Sequence, residues 1–288
     1  MSCLILFNPF AGKGEIKESA QKLAIRLGAE AKDITSISDW AAFMSGLSAE
    51  DSVILCGGDG TLNRFVNDTD GMGLPCDILY YALGTGNDFL KDIEKTPEDC
   101  PINITEYIKN LPAVEVNGKK YRFLNNVGFG IDGYCCEVGD AKKASGETDI
   151  NYTSIAIKGL LFHFNPVNAV IKVDGKEYDY KKVWLAPTMK GRFYGGGMMA
   201  SPAQNRLAPD GKLSIMLFHG KGRISTLIAF PSIFKGEHIK KKNMVALHEG
   251  YNIEVSFDSP CALQIDGETI LGVTSYKAYA NAEVPARV

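Results

Sequence analysis

Ser52-Val53-Ile54-Leu55-Cys56-Gly57-Gly58-Asp59-Gly60-Thr61 decides the fold. A short apolar run with β-branched members reads as a strand buried on both faces. It stops at two glycines, and Leu62, Phe65 and Val66 then recur at helical spacing. The same grammar stands on either side. Upstream, the strand Cys3 to Phe7 runs into Asn8-Pro9-Phe10-Ala11-Gly12-Lys13-Gly14, followed by a helix with Ile16, Ala20, Leu23, Ala24 and Leu27 on one face. Ser38 or Asp39 can cap a second helix over Trp40 to Leu47. Downstream, the strand Asp77 to Ala82 ends in Leu83-Gly84-Thr85-Gly86-Asn87-Asp88-Phe89. Strands alternating with helices predict an α/β unit with a parallel sheet.

The pattern changes near Leu111-Pro112. Val114 to Val127 reads as a hairpin around Asn117-Gly118, and Val170 to Leu185 as another around Asp174-Gly175. Further strand-like runs cover Leu213 to Phe218, Tyr251 to Phe257 and Ala262 to Ile265, interrupted by apolar helical stretches near 154–164 and 225–234. The expected organisation is α/β followed by an antiparallel β-sandwich. Residues 1–112 would form the first domain and 113–280 the second. At about 150 residues per domain, the 288-residue length agrees with two.

In an open parallel sheet, ligands bind beyond the carboxyl ends of the strands. Three glycine-bearing turns should converge there. Glycine lets a backbone approach a phosphate and aim N–H groups at it, and helix N-termini add positive dipole ends. One such turn is explained equally well as a tight connection; three on one edge are not. Asp59 is a poor neighbour for bare phosphates, and the conflict disappears if it faces a divalent cation. Magnesium commonly takes one or two carboxylates together with phosphate oxygens. Neutral partners for phosphate follow in Thr61, Asn63, Asn67, Thr85 and Asn87. Charge-assisted bonds of about 1.5–3 kcal/mol each reach the roughly 8 kcal/mol of micromolar binding with a few contacts.

The set NPFAGKG, GGDGTLN and LGTGNDF, in this order, resembles the catalytic domain of the diacylglycerol kinase and sphingosine kinase superfamily, and in particular its small bacterial lipid kinases. The resemblance continues through Asn126-Val127-Gly128-Phe129-Gly130, Gly195-Gly196-Gly197, Pro209-Asp210-Gly211-Lys212-Leu213 and Leu263-Gln264-Ile265-Asp266-Gly267-Glu268. It implies a first domain like those of NAD kinases and phosphofructokinases, which share GGDGT. It implies ATP and magnesium as cofactors and a lipid alcohol, diacylglycerol by default, as acceptor. Asn8, Pro9, Ala11, Gly12, Lys13, Gly14, Gly57, Gly58, Asp59, Gly60, Thr61, Asn63, Gly84, Thr85, Gly86, Asn87 and Asp88 would surround the nucleotide. Asp59 would organise magnesium and the phosphates. Asp266 would be the general base, with Glu268 beside it, across a cleft between the domains. Asp210, with the backbone oxygens of Leu207 and Lys212, would hold a second, structural magnesium. The tail after about Asn281 would return to the first domain; members of the family often form homodimers, and the sequence leaves the oligomeric state open.

Phosphoryl transfer needs positioning, charge neutralisation and an acceptor for the hydroxyl proton. Without the resemblance, Asp266-Gly267 reads more simply as a type I′ hairpin turn like Asp174-Gly175. The chain also departs from its relatives. Arg64 and Asp68 follow GGDGTLN where glutamate and glycine are frequent, Leu90-Lys91 follows GNDF where many relatives have alanine and arginine, and Thr188-Met189-Lys190 precedes the triple glycine where an asparagine is common. Phe129, Phe162, Phe164 and Tyr194 are candidates to line an apolar acceptor cleft.

The formal charge of −3 argues against a surface built for nucleic acid. Seven scattered cysteines without a CxxC pair exclude a disulfide framework, and the four histidines show no metal-ligand spacing. The N-terminal apolar run is too short for a signal-peptide core, and no 18-residue apolar stretch exists, so a cytoplasmic, non-spanning protein is expected. Residues 221–242 place an apolar run among Lys221, Arg223, Lys235, Lys240, Lys241 and Lys242, against Glu237 alone. This is either a helix packed on the β domain with a solvated basic face, or a peripheral contact with anionic membrane. Gly128-Phe129-Gly130-Ile131-Asp132-Gly133 fits a dinucleotide fingerprint by spacing. Gly139 and Gly146 argue against a clean helix behind it. Two rivals to a lipid kinase remain: a soluble NAD-kinase-type enzyme, and a non-catalytic nucleotide- or lipid-binding regulator.

Overall fold

The computed structural model describes residues 2–9, 15–84, 86–147 and 150–280. Two compact units meet in sequence between Leu111 and Pro112. In the first, β1 (Cys3–Phe7), β2 (Glu30–Asp33), β3 (Ser52–Gly57), β4 (Asp77–Ala82) and β5 (Ile102–Asn103) make a sheet of order β2-β1-β3-β4-β5. The first four strands are parallel and β5 is antiparallel to β4. Continuous apolar runs explain the burial: Val53, Ile54, Leu55 and Cys56 are at most 2% exposed. Helix α1 (Ile16–Leu27) buries Ile16, Ala20, Leu23 and Ala24. Leu27, placed on that face by spacing, is instead exposed, because the helix ends there on the left-handed Gly28. Helix α2 (Trp40–Ser45) is capped by Asp39, whose carboxylate accepts from the Ala42 N–H at 2.9 Å. Helix α3 (Asp59–Asp68) follows β3 directly, α4 (Asp88–Asp92) follows β4, and α5 (Thr105–Ile108) ends the unit.

The second unit is built on antiparallel strands. They are β6 (Ala113–Val116), β7 (Lys119–Arg122), β8 (Asn126–Phe129), β9 (Val167–Val173), β10 (Lys176–Val183), β11 (Thr188–Met189), β12 (Phe193–Tyr194), β13 (Met198–Met199), β14 (Leu213–Phe218), β15 (Val245–Gly250), β16 (Asn252–Ile265) and β17 (Glu268–Tyr279). The main sheet runs β15-β14-β11-β8-β16-β17-β6-β7, and β9 with β10 joins through β16. The long strand β16 serves two neighbours: residues 253–257 pair with β9 and residues 263–265 with β8, with register shifts between them. One apolar core, including Val127, Ile171, Ile215, Val255 and Leu263, fills the space these strands enclose.

A second core lies under α6 (Ile131–Ala144), α7 (Tyr152–Lys158) and α8 (Arg223–Ala229), around Leu160, Trp184, Met216 and Phe218. Helix α6 corrects the expectation that glycines would break this segment. A Cβ at Gly133 would lie 2.0 Å from the Ala262 carbonyl oxygen, and one at Gly139 would lie 2.6 Å from the Tyr152 ring. These glycines admit close neighbours to the helix rather than interrupting it. The Asn117-Gly118, Asp174-Gly175 and Asp266-Gly267 pairs all have positive φ, so each Asp-Gly or Asn-Gly pair closes a hairpin. Among the described residues, no helix is long and apolar enough to cross a membrane.

Candidate functional site

Parallel pairing sets β3 and β4 level, with Gly57 opposite Ala82. The turns that follow them therefore leave the same edge side by side, and they touch. A Cβ at Gly84 would lie 2.7 Å from the Gly58 Cα, so only glycine permits this approach. The Leu83 N–H donates to the Gly57 carbonyl at 2.8 Å, and the Tyr80 hydroxyl to the same oxygen at 3.1 Å. Asp59 opens α3, and its Oδ2 accepts the Asp88 N–H at 2.8 Å, so one carboxylate ties the two turns together. Burial, with the Asp59 charge second, holds the Tyr80 phenol well above its ordinary range.

Thr61 is 1% exposed, and Asn63 and Asp88 are also buried. Thr61 lies over Gly57, where a Cβ would meet its Oγ1 at 2.1 Å. That oxygen and Asn87 Oδ1 are buried and have no hydrogen-bond partner among the described residues. Asn87 has a left-handed backbone, with φ of 46°, and its Nδ2 donates to the Gly84 carbonyl at 2.8 Å. Buried oxygens without donors, beside a carboxylate at a helix N-terminus, fit a nucleotide–magnesium pair, whose hard cation takes oxygen ligands. Asp59 would hold the metal, which neutralises phosphate charge when bound. Asn8 and Pro9 follow β1 on this edge. Ala11, Gly12, Lys13, Gly14 and Thr85 lie outside the described residues, as does the tail from 281.

In the second unit, Asp266 sits in the two-residue turn between β16 and β17, with φ of 47°. Its carboxylate accepts the backbone N–H groups of Leu124, Asn125 at 2.8 Å and Asn126 at 2.9 Å. Its own N–H donates to the Asn126 carbonyl at 3.0 Å. Asp174 performs a similar grip on Tyr251 and Asn252. Asp266 therefore closes a hairpin, as its turn chemistry predicts, and its carboxylate is held by the backbone N–H groups of residues 124–126. Polar surroundings set it apart. Buried Arg206 donates to the Leu124 carbonyl at 3.0 Å and to Asn125 Oδ1 at 2.8 Å. The Lys190 N–H donates to the Asn125 carbonyl at 2.8 Å; burial, then Arg206, holds the Lys190 ammonium below its ordinary range. Glu268 begins β17 and is exposed.

In the loop that the resemblance assigns to a second magnesium, Asp210 has partners within the protein. Asp210 Oδ2 pairs with the Lys212 ammonium at 3.3 Å, and its Oδ1 accepts the Lys212 N–H at 3.4 Å. The Lys212 carbonyl accepts the Gln204 amide at 2.8 Å, and the Leu207 N–H is taken by Asn205 Oδ1 at 3.0 Å. Among the described residues no group of three or more His, Cys, Asp and Glu side chains is placed to hold a metal ion; one carboxylate with two backbone oxygens is a site of another kind. Of the aromatic candidates, Phe129 and Phe164 are core residues, Tyr194 is 3% exposed and Phe162 is 70% exposed. Burial pushes the Cys136 thiol up to about 12 and Cys135 higher still, which leaves both unreactive. Arg206, Asp132 and Gln264 carry no separate signal along the chain; burial of polar residues is a property of the assembled fold.

The diacylglycerol kinase catalytic domain family matches residues 2–116, and the YegS C-terminal NAD kinase beta sandwich-like domain matches residues 125–282. The chain belongs to the diacylglycerol kinase family of lipid kinases. A diacylglycerol kinase from Mycobacterium tuberculosis is 26% identical over 280 residues, covering 90% of this chain and 89% of its own. One from Bacillus subtilis is 22% identical over 282 residues, covering 92% and 88%. The crystal structure of a Bacillus anthracis diacylglycerol kinase overlays with a TM-score of 0.60 at 19% identity, covering 96% of this chain and 93% of that one. Membership in this kinase family assigns the chain a phosphotransferase role.

Proposed function

We propose that the protein transfers the γ-phosphoryl group of ATP, with magnesium, to the hydroxyl of diacylglycerol. The observation that carries this is the pair of touching glycine turns joined through Asp59, with Thr61 Oγ1 and Asn87 Oδ1 buried beside them and without hydrogen-bond partners among the described residues. The first unit binds and orients the nucleotide phosphates; its backbone N–H groups and neutral side chains supply contacts without a competing negative charge. Asp266 takes the hydroxyl proton and is held for that task by three backbone donors. A positioned base contributes about 10²–10⁴-fold.

A lipid acceptor must be reached at a membrane. Helix α8 buries Thr226 and Ala229 but leaves Ile224 71% and Ile228 76% exposed, so the basic, apolar 221–242 segment is not wholly packed inward. Arg223 joins it to the turn bearing exposed Phe162, through the Leu160 and Phe164 carbonyls at 3.1 and 2.7 Å. This surface suits peripheral contact with anionic lipid.

The test is transfer from γ-labelled ATP to diacylglycerol, sphingosine, ceramide, monoacylglycerol and a polyprenol in mixed micelles, with NAD as a soluble acceptor. Label in diacylglycerol, lost in Asp266→Asn, is the expected result. Label in NAD alone, or ATP binding with no transfer to any acceptor, would replace this proposal with one of its two rivals.

A further inference from the structure

Asp132, the acid inside the Gly128–Gly133 glycine pattern, is 8% exposed and takes no part in the proposed chemistry. Its Oδ1 accepts the Gly133 N–H at 2.9 Å, and its Oδ2 accepts Gln264 Nε2 at 3.3 Å. Gln264, 3% exposed on β16, turns its other end to the hairpin: Oε1 accepts the Gly267 N–H at 2.9 Å. Gly267 is the neighbour of Asp266 in the same two-residue turn. The relay passes over Gly128. A Cβ there would lie 2.0 Å from Asp132 Oδ2, 2.6 Å from Gln264 Nε2 and 3.0 Å from Asn126 Nδ2. The missing side chain at Gly128 is thus the space in which three buried polar groups meet.

We infer that Asp132 is a positioning residue for Asp266, acting through Gln264 to fix the Gly267 N–H and with it the turn that aims the base. This rests on Asp266 being the base. An ionised Asp132 can only accept hydrogen bonds, so it orients the Gln264 amide with Nε2 inward. The opposite end is then the acceptor that Gly267 requires. An amide at position 132 removes this instruction, because a donor can face a donor. Burial raises the Asp132 carboxyl to about 6. The titratable groups facing it are Cys135 and Cys136 on its own helix and Tyr276 on β17, all kept neutral at that pH by burial. Gln264 on β16 and Asn126 on β8 carry no charge.

The experiment follows kcat with diacylglycerol in mixed micelles, and the ¹H–¹⁵N resonance of the Gly267 amide. In the wild type that resonance should titrate with a midpoint near pH 6, and in Asp132→Asn it should not. Asp132→Asn should lower kcat at least tenfold at pH 7.5 and leave the ATP KM within twofold. The double variant Asp132→Asn with Gln264→Glu transposes donor and acceptor and should recover kcat to within threefold of wild type. Gln264→Met, which keeps Asp132, should show the same loss and serves if the Asn variant does not fold. Wild-type kcat in either single variant, or a double variant no better than Asp132→Asn, would overturn the relay. Asp266→Asn runs alongside: if it keeps its turnover, the base assignment fails; if it is inactive while Asp132→Asn is unimpaired, only the relay fails.

Discussion

Replacing Gly84 by alanine tests whether contact between the two glycine turns organises the nucleotide site. The new Cβ would lie 2.7 Å from the Gly58 Cα, about 0.7 Å inside the 3.4 Å at which ordinary contact begins. The obstacle is backbone on both sides, so the turns must part. Overpacking of this kind costs about 1–3 kcal/mol. Parting also stretches the 2.8 Å bond from the Asp88 N–H to the Asp59 carboxylate, the kind of charge-assisted bond worth about 1.5–3 kcal/mol. Partial relaxation of each gives a combined loss of about 2–3 kcal/mol. At about 4 °C per kcal/mol for a unit of this size, melting of the first unit should fall by about 8–12 °C. Binding of ATP with magnesium should weaken at least tenfold, a change of about 1.4 kcal/mol. Gly86 is the control in the same turn: a Cβ there meets nothing within 4 Å, so Gly86→Ala should melt like the wild type. Differential scanning calorimetry and isothermal titration give both readouts. The reasoning fails if Gly84→Ala matches the wild type in melting and affinity, or if Gly86→Ala melts as low.

Other consequences are open to simpler measurements. The Asp210 loop is closed by Lys212 and Gln204, so in nucleotide-free protein EDTA should leave the melting temperature within about 1 °C, far below the 2–4 °C that each kcal/mol is worth in a domain of 150–250 residues; a saturable rise with magnesium that disappears in Asp210→Asn would contradict this. Raising the Asp132 carboxyl from 3.8 to about 6 means that its contribution to stability is complete below pH 3.8 and is lost as pH rises through 6. At 1.36 kcal/mol per pH unit, the stability difference between Asp132→Asn and wild type should move by about 2 kcal/mol in favour of asparagine from pH 4 to pH 7; a flat difference in urea titrations would refute the shift. Ile224→Asp with Ile228→Asp should abolish flotation with anionic liposomes and leave the melting temperature unchanged, since both side chains are exposed; flotation equal to wild type would exclude this surface.

Much of the fold was legible because its signals are local. Apolar runs that end in glycine mark β1, β3 and β4, and Asn-Gly or Asp-Gly pairs mark the hairpins, since a short stretch of chain sets both burial on two faces and positive φ. Helix α6 was not legible. Gly139 looks like a break along the chain, and only the packed Tyr152 ring shows why a side chain is forbidden there; Gly146, the other apparent break, lies beyond the helix end at Ala144. The Asp210 loop is similar: Pro209-Asp210-Gly211-Lys212 fits the pattern of its relatives, yet spacing does not reveal that the lysine pairs with the aspartate.

The sequence by itself determined the class of each half, the turns that leave the parallel sheet, and the residues types able to meet phosphate, metal and a hydroxyl proton. Periodicity, turn chemistry and hydrogen-bonding capacity belong to residues and their near neighbours, so no folding is needed to read them. Tertiary structure alone decided which of these groups meet. Gly58 and Gly84 touch because parallel register sets β3 and β4 level. Asp266 collects N–H groups from about 140 positions upstream, and Gln264 reaches Asp132 across 132 positions. Such pairings depend on strand register and on which polar groups the core seals from water. Those are properties of the whole chain: a buried donor or acceptor must find a partner wherever the fold brings one.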